Sequence, residues 1–210
     1  MDAPRFAAPS SAADDPAWDG ALRLTFDEGE EIYAQGEEAD LVYRVIRGAV
    51  RTSHLLADGR RQVGEFYYAG DLFGLELSKT HRFSAEALNR CEIETVRRRG
   101  GDGSTESPWD RVTWAAAQSE LARAHAHMLL LGKTTAAEKV ARFLLNLHDR
   151  DQDETVLPMN RQDMADYLGL TIETVSRTLS RFQASGLVRF NNTRRFTVLR
   201  PASLAASAAF

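Results

Sequence analysis

The stretch Asn160-Arg-Gln-Asp-Met-Ala-Asp-Tyr-Leu-Gly-Leu-Thr-Ile-Glu-Thr-Val-Ser-Arg-Thr-Leu-Ser-Arg-Phe182 decides how this chain is read. Asn160 is a favourable N-cap, and Asp163 falls in the first turn, where the helix dipole favours a negative charge. Met164, Tyr167 and Leu168 give a short helix one apolar stripe. Gly169 interrupts it, and a tight turn between two helices needs a residue that accepts positive φ. Thr171 then caps a second helix in which Val175, Leu179 and Phe182 recur at i, i+4 and i+7. The opposite face carries Glu173, Thr174, Ser176, Arg177, Ser180 and Arg181. The pattern predicts a helix-turn-helix. The outer face has the chemistry of base readout: Arg binds guanine O6 and N7 together, Glu accepts from cytosine N4, and Ser serves either base type. Glu173 and Arg177 are also four apart, so a solvated ion pair between them is the plain alternative.

Downstream, Gly186 precedes two short β-runs, Leu187-Val-Arg-Phe190 and Phe196-Thr-Val-Leu199, joined by the polar turn Asn191-Asn-Thr-Arg194. Arg189, Arg194 and Arg195 make this a basic hairpin of the kind that lies on a phosphate backbone. Upstream, Thr134 or Thr135 caps a helix with Glu138 near its first turn and Ala137, Val140, Ala141, Leu144 and Leu147 at helical spacing. His148 to Val156 reads as an acidic loop. Before it, Pro108 to Leu131 reads as one helix of about 24 residues and about 36 Å. Trp114, Leu121, Met128 and Leu131 fit one apolar stripe on it, read as a dimer seam; packing against its own β-region is the alternative.

From Leu22 to about Arg99 the chain reads as β. Runs such as Leu22–Phe26, Leu41–Ile46 and Gln62–Tyr67 are split by glycine turns, which means a sandwich or barrel. Asp58-Gly59 is a hairpin turn between Val50–Leu56 and the next strand. Gly100 to Ser107 is a polar break.

The net charge of −4 disguises an asymmetry. Residues 1–132 carry 15 basic and 22 acidic side chains, a net of −7, and residues 133–210 carry 11 and 8, a net of +3. Within 160–210 the balance is 7 against 3, a net of +4. One module is suited to phosphate and the other is not. The single cysteine, Cys91, forms no internal disulfide, which suits a reducing cytoplasm, and it reads as a small core residue. No run of about 18 apolar residues exists, so no membrane span is expected. Residues 1–20 lack the basic start and apolar core of a secretory signal and read as a disordered arm.

Asp166-Tyr-Leu-Gly-Leu-Thr-Ile-Glu-Thr-Val-Ser-Arg-Thr-Leu179 resembles the recognition motif of the Crp/Fnr family of bacterial regulators, and its FixK-like branch most. The resemblance extends to Leu55-Leu-Ala-Asp-Gly-Arg-Arg-Gln62, Gly70-Asp-Leu-Phe-Gly-Leu-Glu76, His127-Met-Leu-Leu-Leu-Gly132 and Leu157-Pro-Met-Asn-Arg161, so it covers about residues 22–200. It implies an α+β chain: a disordered arm (1–20), an N-terminal double-stranded β-roll resembling cyclic-nucleotide-binding jelly rolls (21–106), a long dimerisation helix (107–132), a C-terminal winged helix-turn-helix (133–200) and a flexible tail (201–210). It implies that Glu173, Ser176 and Arg177 read bases and that Arg161, Gln162 and Thr171 contact phosphates. Asn160, Thr174, Arg181, Arg194 and Arg195 complete the expected phosphate contacts. It further implies a homodimer on a TTG-N8-CAA palindrome, activation through RNA polymerase, and genes of microaerobic metabolism, nitrogen fixation or denitrification.

The family's sensor signatures are broken here. An iron–sulfur cluster needs four cysteines, and the chain has one. The cyclic-nucleotide branch clamps phosphate with Gly-Glu and, downstream, Arg-Ser-Ala. In this chain Leu75 follows Gly74, Glu76 is displaced by one, and Arg82-Phe-Ser-Ala85 puts Phe83 at the arginine position. Cyclic nucleotide binding is therefore not expected. Of the five histidines, His54, His81, His125, His127 and His148, none forms a paired metal motif, and each reads as an ordinary surface or core residue. No P-loop, Gly-x-Ser-x-Gly or Cys-x-x-Cys occurs, so no enzyme is expected. The reading is a regulator with no resident cofactor or metal, controlled by its own abundance. The alternatives are a haem- or small-ligand-sensing member of the family and, from another class, a β-roll ligand-binding protein or enzyme.

Overall fold

Alternating burial along short strands builds the N-terminal half. In β8 (Cys91–Arg97) Cys91, Ile93 and Thr95 point inward while Glu92 and Glu94 point out, the period of two expected of a half-buried strand. The computed structural model describes residues 16–76, 78–98, 108–133, 135–150 and 155–207. Its first eight strands are β1 (Leu22–Phe26), β2 (Glu31–Tyr33), β3 (Leu41–Arg47), β4 (Ala49–Leu55), β5 (Arg61–Tyr68), β6 (Leu72–Phe73), β7 (Ser84–Ala87) and β8. They form two four-stranded sheets, ordered β1-β8-β3-β6 and β2-β7-β4-β5. Tyr33, Tyr43, Val45, Val50, Phe73 and Ile93 lie at the core between them. The double-stranded β-roll expected from the resemblance is thus present. The Asp58-Gly59 turn forms, with Gly59 at φ +82° and the Leu56 N–H on the Arg60 carbonyl at 2.8 Å.

Cys91 is fully buried, donates its thiol to the Ala49 carbonyl at 3.2 Å, and is pushed up in pKa by burial. This is a core residue, not an exposed thiolate.

Two compact units divide the chain: residues 1–55 with 64–121, and 56–63 with 122–210. The division falls inside α1 (Pro108–Lys133) rather than at residues 132–133, where the sequence places the joint. Helix α1 has 26 residues, close to the expected length.

The second unit holds α2 (Ala136–His148), β9 (Thr155–Val156), α3 (Arg161–Leu168), α4 (Ile172–Ala184), β10 (Val188–Phe190), β11 (Arg195–Val198) and α5 (Pro201–Ala206). Val140, Leu144, Met164, Leu168, Val175 and Leu179 supply its core, each at most 1 % exposed. The expected caps form: Thr135 with Glu138 and Asn160 with Asp163 are capping boxes, and Gly169 ends α3 in the left-handed region at φ +61°.

Three expectations need correction. Pro16–Trp18 forms a 3-10 turn inside the stretch read as disordered arm, with Ala17 and Trp18 buried. The cause is tertiary: Trp18 meets Trp109 edge-on at 6.3 Å and carries the Arg44 guanidinium over its ring at 4.2 Å. The tail read as loose begins as α5, held by fully buried Leu204. Thr155–Val156, read as loop, pairs with β11 as a third strand of the wing sheet. The rest of the arm (1–15), the break at 100–107, Thr134 and residues 151–154 lie outside the described residues.

Candidate nucleic-acid interface

Helix α4 owes its start to Thr171, whose hydroxyl accepts the Thr174 N–H at 3.3 Å. Its inward stripe is complete, with Val175, Leu179 and Phe182 all buried. The outward stripe must then face solvent. Glu173 and Arg177 are exposed and Ser176 is half-buried between them. Positions i, i+3 and i+4 lie on one face of a helix, so the three stand together.

Among the described residues Glu173 and Arg177 form no close ion pair, although Arg177 still acts on the Glu173 carboxyl through space. The Glu173 carboxyl is instead held below its usual range by its own backbone N–H, then by the Thr171 hydroxyl, with Arg177 adding a smaller favourable charge. A carboxylate acceptor thus stands at the helix N-terminus, where its charge is favoured, one turn from the exposed Arg177 guanidinium. That is a donor and an acceptor presented to one groove.

The expected phosphate ligands divide by what already occupies them. Thr171 and Thr174 share a hydroxyl contact at 3.1 Å at the start of α4. The Asn160 side-chain oxygen accepts the Asp163 N–H at 2.9 Å, leaving its amide nitrogen for a ligand. Gln162 Nε2 is engaged by Asp166 at 2.6 Å and would have to exchange that bond for a phosphate. Arg161 lines a concavity of about 400 Å³ with Leu179, Ser180, Gln183, Ala184 and Phe190. Arg181 is exposed further along α4, and Arg189, Arg194 and Arg195 are exposed on the wing. The wing itself pairs Val188 with Val198 and Phe190 with Phe196.

The expected dimer seam is treated unequally. Trp114, Leu121 and Met128, spaced by seven, are 67, 57 and 62 % exposed, and Trp114 and Leu121 do not pack on the β-region of their own unit. Leu131 is half-buried, its Cδ2 3.4 Å from where a Cβ on Gly169 would stand. It therefore lies against the turn of the helix-turn-helix and is less open than the other three.

Two residues at this site went unassigned in the sequence. His127 stacks on Tyr167 of α3, and Lys139, buried in α2, donates to the Leu168 carbonyl at 3.1 Å. A lysine on the apolar side of α2, one residue before Val140, was the available signal.

The β-roll does not offer the family's phosphate clamp. Arg82 pairs with Glu76, its backbone N–H and Nε both on that carboxylate, at 3.0 and 3.1 Å. The Phe83 ring lies against Gly64, where a Cβ would stand 2.7 Å from its Cε1, and His54 meets it edge-on at 5.7 Å. The residues present do not fit the family's cyclic-nucleotide clamp: an aromatic ring stands at the arginine position, and the neighbouring Arg82 is paired through Nε with Glu76.

Comparison with known proteins agrees with this geometry. Residues 138–207 match the model of the Crp-like helix-turn-helix domain, and residues 23–100 match that of the cyclic nucleotide-binding domain. The nitrogen fixation regulation protein FixK of Rhizobium meliloti (strain 1021) is 41 % identical over 185 residues, 87 % of this chain and 85 % of that protein. The transcriptional activatory protein AadR of Rhodopseudomonas palustris is 38 % identical over 176 residues, 80 % and 74 % of the two chains. The solved structure of FixK2 from Bradyrhizobium japonicum superposes with a TM-score of 0.83 at 41 % identity, covering 90 % of this chain and 98 % of that one.

A β-roll followed by a long helix and a winged helix-turn-helix with an open polar recognition face defines a sequence-specific DNA-binding regulator. The chain belongs to the Crp/Fnr family, in its FixK-like branch, a family of regulators and not of enzymes. Among the described residues no helix is long and apolar enough to cross a membrane, and no group of metal-ligating side chains comes together.

Proposed function

We propose that this protein is a homodimeric transcription activator that reads a TTG-N8-CAA palindrome through Glu173, Ser176 and Arg177. The observation that carries the reading is the open face of α4, where the exposed Glu173 carboxyl and Arg177 guanidinium stand one turn apart. Thr171 and Gly169 set where that face begins. Arg161, Gln162, Asn160, Thr171, Thr174, Arg181, Arg194 and Arg195 would set its register on the phosphates, which carry no sequence information themselves. A two-fold dimer needs half-sites one helical turn apart, about 34–36 Å. The heptad-spaced Trp114, Leu121 and Met128 supply the seam that such symmetry needs.

The Arg82–Glu76 pair and the inward Phe83 support control by protein abundance in place of a bound nucleotide. The relatives' names support a role in nitrogen-fixation genes and, through AadR, activation. Contact with RNA polymerase follows from activation. The test is a mobility-shift competition at one stated salt concentration. The palindrome should compete far better than a scrambled duplex of equal length, and equal competition by the two would overturn the reading.

A further inference from the structure

The last two carbonyls of α3 each take a side-chain donor from outside the helix-turn-helix. His127 Nε2, near the end of α1, lies 2.7 Å from the Tyr167 carbonyl. A carbonyl only accepts, so the imidazole carries its proton on Nε2. Its ring lies flat on the Tyr167 ring, 4.0 Å between centroids and 10° between planes. Lys139 Nζ, on α2, donates to the Leu168 carbonyl at 3.1 Å, and the whole side chain is buried. Helix-terminal carbonyls have no partner within their own helix, and the negative end of the helix dipole favours such donors. The next residue is Gly169, the left-handed pivot between α3 and α4. Leu131 of α1 packs against it.

Three side chains thus hold the end of α3 and the turn that aims α4. Only Gly169, Leu170 and Thr171 separate the held carbonyls from the first residue of α4. A small rotation at the end of α3 is therefore passed to Glu173 and Arg177. Bidentate base contacts tolerate little misplacement, whereas phosphate contacts with long side chains tolerate more. His127 also adjoins Met128, so the helix that carries the exposed seam is the one that grips the pivot.

We propose that His127 and Lys139 form a clamp on the C-terminus of α3 that fixes the direction of α4, and that both are positioning residues for sequence discrimination. Neither stands on the base-reading face. The inference rests on α4 being the helix that reads the operator.

The test uses the full chain and a duplex selected from random DNA by the wild type. His127→Phe keeps the stacking and removes the donor. His127→Gln restores a donor of similar reach. Lys139→Met removes the charge and keeps the length. Each variant is measured below its own unfolding temperature for affinity to the selected and the scrambled duplex across a salt series.

His127→Phe and Lys139→Met should bind the selected duplex about 5- to 150-fold more weakly, one hydrogen bond being lost in each protomer. Scrambled DNA should be bound as before, with an unchanged salt slope, because no phosphate contact is removed. His127→Gln should recover most of the discrimination. A specificity ratio within twofold of wild type for both His127→Phe and Lys139→Met overturns the clamp. So does parallel weakening on both duplexes with a shallower slope, which would make these residues phosphate ligands. If the wild type selects no sequence, the operator reading fails by itself. The clamp is then judged by amide exchange at residues 174–178, which should be faster in His127→Phe than in wild type; equal exchange overturns it.

Discussion

Replacing Gly169 by alanine isolates the backbone requirement of the turn that aims α4. Gly169 sits at φ +61°, ψ +43° and closes α3 with its N–H on the Ala165 carbonyl. A Cβ there would meet only Leu131 Cδ2 at 3.4 Å, an ordinary van der Waals distance, so steric overlap adds little. The cost is then conformational: an L-residue in the left-handed region loses roughly 1–2 kcal/mol relative to glycine. Asparagine tolerates this region better, so Gly169→Asn should lose less than Gly169→Ala. Gly186, at φ +64° with its nearest neighbour Arg200 3.7 Å away, is the matched control on the far side of α4. Its alanine variant should lose a similar amount of stability. Only Gly169→Ala should also change the selectivity of DNA binding, because only that turn connects α3 to the start of α4. The assay is urea unfolding followed by far-ultraviolet circular dichroism. Tryptophan fluorescence is unsuitable, since Trp18, Trp109 and Trp114 all lie in the first unit. A stability change below about 0.3 kcal/mol for Gly169→Ala, or a rank with asparagine worse than alanine, would refute the conformational account.

Four further outcomes follow from the same contacts. Asn160→Ala removes one side of a capping box and should destabilise the second unit by about 1 kcal/mol, read by urea titration. Leu121→Glu places a charge in the proposed seam; losing a buried leucine on each protomer, about 1.5–3 kcal/mol apiece, should weaken dimerisation at least about 100-fold by sedimentation equilibrium. Burial holds the imidazoles of both His127 and His81 below their ordinary pKa. The unfolded chain therefore binds these protons more readily, and their contribution to stability is complete above pH of about 6.5 and is lost as pH falls below it. His127→Phe should flatten that fall, read as unfolding free energy against pH, and an unchanged slope would contradict the assignment. Cyclic AMP at millimolar concentration should leave the melting temperature of the wild type unmoved, because Arg82 is held by Glu76 and Phe83 lies against Gly64.

Most of the second unit was legible because its decisive signals are local. Thr135, Asn160, Gly169 and Thr171 act on the backbone within three or four residues of themselves, so type and spacing suffice to place them. The strands from Leu22 to Phe26 and from Leu41 to Arg47 were visible for the same reason, each being an apolar run bounded by turn residues. What escaped depends on partners distant in sequence. Thr155–Val156 is a strand only because β11 lies beside it, and two residues carry no periodicity. Trp18 is ordered by Trp109 and Arg44. Leu204 is a single apolar residue in an alanine-rich tail, and nothing local says that it is buried. Leu131 shares a stripe with Trp114, Leu121 and Met128 in sequence, but the end of α3 claims it first. The same long-range logic hid His127 and Lys139, whose partners are backbone carbonyls that no sequence pattern marks.

Base reading by the open face of α4 is tested by a cycle between one protein change and one DNA change. Wild type and Arg177→Ala are titrated at one salt concentration against the palindrome and against the same duplex with the guanine–cytosine pair of each TTG half-site replaced. A bidentate arginine–guanine contact is worth about 1–3 kcal/mol per half-site. The wild type should lose that amount when the base pair is replaced. Arg177→Ala should bind the palindrome correspondingly more weakly and no longer distinguish the two duplexes. Equal discrimination by wild type and Arg177→Ala would mean that the base pair is read by something other than this helix face.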